Sequence, residues 1–133
     1  MKLLFTSRTA ALSLLLALSA ICASIAQAQG LDGRRFEGVF LERGKTSGDA
    51  DTLTFKDGRF RSTACDRYGY AEVPYKTVAA GDGVQFEAES ASPKYGRLVW
   101  KGVVRGGKLD ATATMVRTGK APVENWVVAA EKN

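Results

Sequence analysis

The chain has 133 residues, 25% charged and 45% hydrophobic, a formal net charge of +5 and no histidine. The missing imidazole excludes a Ser-His-Asp triad, a Cys-His pair, His-ligated zinc and His-ligated haem. Two cysteines, Cys22 and Cys65, are too few for a four-cysteine metal site, which leaves general acid–base work to carboxylates, Lys, Tyr or a thiol.

Residues 1–28 read as a secretory signal peptide. Lys2 and Arg8 precede an apolar run from Ala10 to Ile21, and an A-x-A site stands at Ala26-Gln27-Ala28. The run is too short and too weakly flanked for a membrane anchor. The rival reading, lipid attachment at Cys22, meets Ile21 where that signal wants a small residue. Cleavage after Ala28 leaves one domain, residues 29–133, in the periplasm or secreted. Lys2 and Arg8 leave with the signal and no acidic residue does, so the net charge falls from +5 to +3. The remaining basic and acidic residues are interspersed without blocks of like charge, which marks a solvated surface and not a nucleic-acid footprint.

From there the chain alternates between short strands and turns. Candidate strands run over about 34–42, 51–56, 59–65, 70–79, 83–90, 96–105, 108–117 and 122–131. "FKDGRF" places Asp57-Gly58 in a two-residue hairpin turn, so Lys56 pairs with Arg59, Phe55 with Phe60 and Leu53 with Ser62. "VRGGKL" does the same with Gly106-Gly107, pairing Gly102 with Ala111, Trp100 with Ala113 and Leu98 with Met115. Further turns are expected near Asp82-Gly83, in "SASPKYG" and in "RTGKAP". About eight strands joined by short connections predict an all-β fold, a small antiparallel meander barrel that closes on itself and removes its edges.

Period-two alternation assigns the faces. The expected interior holds Phe36, Gly38, Phe40, Leu53, Phe55, Phe60, Val73, Tyr75, Phe86, Leu98, Trp100, Met115, Trp126 and Val128. Glu87 and Glu89 fall on the solvent face as cross-strand partners of Arg97 and Lys101. Small residues (Gly38, Ser62, Ala88, Gly102, Ala111, Ala113) share the inner faces with the rings. That mixture suits either a filled barrel or a ligand pocket.

The pattern resembles small exported bacterial calycin-like barrels, the lipocalin and avidin type. Gly38-Val39-Phe40 stands on the first strand where lipocalins carry Gly-x-Trp. "DGRFRSTAC" and "SPKYGRLVWKG" are similar in spacing to small exported bacterial proteins. The resemblance implies a compartment and a fold.

The expected function is non-catalytic: an exported soluble barrel that binds a small apolar or aromatic ligand or a partner protein. Its candidate binding residues are Phe40, Phe86, Trp100, Tyr75 and Trp126. The alternative is an envelope structural or inhibitor-type interaction protein with a filled core. No metal, cofactor, catalytic residue or nucleic acid is expected, and the chain is read as a monomer or weak dimer. Three further features are candidate sites. Tyr68, Tyr70 and Tyr75 with Arg67 form either an aromatic platform or an anchored strand end. Ser90, Ser92 and Lys94 evoke a Ser/Lys pair but sit in a proline turn. Cys65, alone in the mature chain, is buried beside Tyr68 or Tyr70, paired between chains, or reactive.

Overall fold

The computed structural model describes residues 30–133; the expected signal peptide and Cys22 lie outside them. Eight antiparallel strands form one closed barrel in chain order. They are β1 (Arg35–Glu42), β2 (Asp49–Lys56), β3 (Arg59–Ser62), β4 (Val73–Ala80), β5 (Gly83–Ser92), β6 (Gly96–Arg105), β7 (Lys108–Val116) and β8 (Val123–Glu131). Pairing of β1 with β8, from Phe36↔Glu131 to Glu42↔Asn125, closes the cylinder.

The hairpin registers are those expected. Phe55 faces Phe60 and Lys56 faces Arg59. Trp100 faces Ala113 and Gly102 faces Ala111. Asp57 and Gly58 both take positive φ, 52° and 72°, the backbone of a type I′ turn whose twist matches the strands it joins. The β4–β5 turn differs: Ala80 pairs with Gly83, so the turn residues are Gly81-Asp82 and not Asp82-Gly83.

The two ends of the barrel are unlike. One carries the three two-residue turns and is plugged by residues 30–33. Leu31 is fully buried there. Asp32 accepts from the Gly58 amide at 3.1 Å and from the Tyr75 hydroxyl, which holds the plug against the wall. Arg34 ties the same end together, donating to Glu131 at 2.8 Å and to the Gly106 carbonyl at 2.7 Å. The other end carries the longer connections, 43–48, 63–72, 93–95 and 117–122, and stays open.

Between the ends runs a continuous aromatic column. Phe55 lies 5.0 Å from both Tyr75 and Phe86, 5.1 Å from Phe60 and 6.0 Å from Phe36, centroid to centroid. Trp100 lies 4.9 Å from Phe60 and 5.8 Å from Phe40, carrying the column toward the open end. These edge and tilted contacts add to the burial of large apolar area. Gly102 is part of the same packing: a Cβ there would stand 2.4 Å from a Phe86 ring carbon. Gly38 lets β1 approach β8, because its Cβ would meet the Val128 carbonyl oxygen at 2.0 Å.

Three expectations are corrected. Trp126 and Val128 face solvent, 45% and 63% exposed, while Asn125, Val127 and Ala129 point inward. In "WVVAA" both alternating sets are apolar, so alternation cannot choose between them. Closure chooses: the column leaves room inside for Val127 and Ala129 but not for a second indole. Outside, the Trp126 N–H donates to Glu124 at 2.7 Å and the Arg43 guanidinium lies over its ring at 5.8 Å. Second, the third strand ends at Ser62, and Thr63–Asp66 form a single helical turn, α1. The buried carboxylate of Asp51 on β2 supplies the cap, accepting from Ser62 Oγ at 2.7 Å, the Ala64 amide at 3.0 Å and Thr63 Oγ1 at 3.3 Å. Third, the fourth strand begins at Val73 and not Tyr70. On the outer face Arg97 does pair with Glu89, at 2.6 Å. Lys101 faces Glu87 in register without an ion pair.

Candidate functional site

The open end of the barrel holds a cavity of about 490 Å³, within the few hundred Å³ usual for small-molecule sites. Its floor and walls are mainly apolar: Phe40, Leu98, Met115 and Val123 from β1, β6, β7 and β8, with the rings of Tyr70 and Tyr95 and the polar Asn125 of β8. Alternation on each strand puts the four strand residues inside, and the longer connections bring in the tyrosines. Tyr68 stacks edge-on against Tyr95 at 5.3 Å, and the Arg67 guanidinium lies over the Tyr68 ring at 5.0 Å. Lys45, Ser47 and Gly48 of the β1–β2 connection and Asp49 at the start of β2 border the mouth.

The five candidate binding residues do not gather around this cavity. Phe40 lines it. Trp100 and Phe86 are each 1% exposed within the aromatic column. Tyr75 sits at the plugged end on Asp32, and Trp126 lies on the outer wall. The tyrosine cluster is accordingly Tyr68, Tyr70 and Tyr95 and leaves Tyr75 out. The sequence does not single out Tyr95, because "SPKYG" reads as a turn. Pro93 and Gly96 do make it one, and the turn aims the ring across the mouth.

Cys65 is buried on α1 at the cavity wall, unpaired among the described residues. Burial pushes its thiol up to about 12, only partly offset by the Ser62 hydroxyl 3.3 Å away. Neither neighbouring arginine serves it: Arg61 is engaged with Asp66 and Arg67 with Asp49. The Ser/Lys suggestion finds no matching geometry. Ser92 Oγ donates to the Tyr68 carbonyl at 2.6 Å, and Lys94 Nζ lies over the Tyr95 ring at 5.3 Å. Among the described residues no three His, Cys, Asp or Glu side chains come together as metal ligands, and no helix is long and apolar enough to cross a membrane.

A second, shallow trough of about 480 Å³ runs along the outer wall of β5–β8, bordered by Gln85, Lys101, Val103, Asp110, Trp126 and Val128. Val39, 46% exposed, faces Val128 across the β1–β8 seam and extends the apolar strip.

The chain matches no family model, no curated protein and no solved structure.

Proposed function

We propose that this protein is an exported, non-catalytic β-barrel that binds one small apolar or aromatic ligand in the cavity at its open end. One observation carries the reading: the barrel is plugged at one end by Leu31 and Asp32 and opens at the other into about 490 Å³ lined by Phe40, Leu98, Met115 and Tyr95. Apolar walls with a few polar groups are what such a ligand needs. The filled column below makes the cavity a shallow cup, so the ligand sits above Trp100 and not beside Phe86.

The test is titration with N-phenyl-1-naphthylamine, a neutral dye that brightens in apolar surroundings. Saturable one-site binding is expected, weakened at least tenfold by Met115→Trp, which fills the cup from β7. A folded protein that binds no dye, or binds it equally after Met115→Trp, defeats the reading.

A partner protein is the second reading, favoured by the outer strip of Val39, Trp126 and Val128, since solvated apolar side chains in a contiguous row mark contact surfaces.

A further inference from the structure

The four connections at the open end carry six basic side chains and two acidic ones, a charge of +4. Residues 29–133 as a whole, with 17 basic and 14 acidic side chains, carry +3. The strands and the plugged end together therefore sum to −1, and the barrel is positive at its mouth. Of the six cations, Arg43 and Arg67 are in ion pairs with Glu124 and Asp49. Lys45, Lys94, Arg117 and Lys120 have no carboxylate within ion-pair distance among the described residues.

Two of these free cations flank Tyr95 on one side of the cup. Lys94 Nζ lies over the Tyr95 ring at 5.3 Å. Arg117 crosses β6 where Gly96 leaves room, since a Cβ at Gly96 would stand 2.9 Å from Arg117 Cγ. Arg117 is half-buried, yet its guanidinium, a fork of five donors, meets no acceptor among the described residues. Burial pushes the Tyr70 phenol up and the Arg117 charge offsets part of that rise, so its field reaches the cup wall. The acidic groups near the cup lie elsewhere. Glu42 stands in the turn that carries Lys45, whose amide donates to the Glu42 carbonyl at 3.0 Å; in barrel order this turn faces the Lys94 connection. The buried Asp51 carboxylate is occupied by the Ser62, Thr63 and Ala64 donors. An apolar cup below a positive rim complements a ligand that has both characters.

Resting on the ligand-binding reading above, we propose that the cup takes an amphipathic anion. Its apolar body sits over Leu98 and Met115, and its head group, a carboxylate, sulfonate or phosphate, lies at the mouth between Lys94 and Arg117.

Two dyes with one ring skeleton test this at pH 7: neutral N-phenyl-1-naphthylamine, and 8-anilino-1-naphthalenesulfonate, the same molecule with one sulfonate added. The sulfonate dye is expected to bind about tenfold more tightly at about 0.01 M salt, from the attraction of two nearby cations. That ratio should fall to about two or less at about 1 M salt, where the screening length is about 3 Å. Lys94→Gln and Arg117→Gln should each lower the low-salt ratio about threefold, and together bring it to about one. Lys56→Gln, next to the Asp57-Gly58 turn at the plugged end, removes an equal charge and should leave the ratio unchanged. A parent ratio of one or less, a ratio that survives high salt or both substitutions, or an equal fall in Lys56→Gln each overturns the inference while leaving ligand binding intact. Failure of both dyes to bind overturns the ligand-binding reading and this inference with it.

Discussion

Gly102→Ala probes whether the lower barrel is solid. Gly102 on β6 lies between Phe86 on β5 and Ala111 on β7. A methyl group there would stand 2.4 Å from Phe86 Cε1 and 2.7 Å from the Ala111 Cβ. Carbon pairs settle at about 3.5–4.0 Å, so the ring or a strand must shift by about 1 Å. The ring has little freedom to do so, because Phe55 and Phe60 hold it at centroid distances of 5.0 and 5.4 Å. Replacing glycine gains about 0.4–1 kcal/mol by restricting the unfolded chain, but overpacking costs about 1–3 kcal/mol. The cost wins, and a net loss of about 1–2 kcal/mol should lower the melting temperature by about 5–15 °C in a domain of this size. Phe86→Leu removes the obstructing ring atoms at its own cost in lost packing. The double variant should then be more stable than the sum of the single effects by about 1 kcal/mol or more. Urea titrations of the four proteins measure this coupling. A Gly102→Ala melt within about 2 °C of the parent, or a strictly additive cycle, would refute the filled interior at this level.

Asp51→Ala leaves the Ser62, Thr63 and Ala64 donors without their shared acceptor and should cost about 2–3 kcal/mol, read as a lower urea midpoint with an unchanged slope. The Cys65 thiol, raised from 9.0 to about 12, binds its proton more firmly in the folded than in the unfolded chain. Its contribution is therefore complete below about pH 9 and is lost as pH rises toward 12, by up to about 4 kcal/mol. Tyr70 and Tyr75, also raised, act in the same direction. Cys65→Ala should accordingly flatten the alkaline stability profile without abolishing its fall, and an unchanged slope would count against a buried thiol. Rapid reaction of Cys65 with a thiol reagent at neutral pH would do the same. In β8, Trp126→Thr should change stability by less than about 0.5 kcal/mol, whereas Val127→Thr buries a hydroxyl and should cost about 1–3 kcal/mol. The opposite order in thermal melts would restore the inward Trp126.

Asp57-Gly58 and Gly106-Gly107 are enough to place the six residue pairs named above, because a two-residue turn leaves one register and every side chain then has one face. Regular turn spacing carried the rest of the architecture, a meander of short strands closing into a barrel. Wherever polar and apolar residues alternate, as from Val84 to Ser92, the face was legible as well. The pattern fell silent in "WVVAA", where both faces are apolar, and the closing pair β1–β8 decided which one looks inward. It was silent also on α1, since the cap that ends β3 comes from Asp51, eleven residues from Ser62 and on another strand. The site depended most on tertiary structure. Phe40 was identified because strand alternation points it inward. Tyr70 and Tyr95 reach the cup from irregular connections, where side-chain direction follows no period. Which end is plugged and which is open depends on where Leu31 and Asp32 fold back, and local sequence carries no information about that contact with Gly58 and Tyr75.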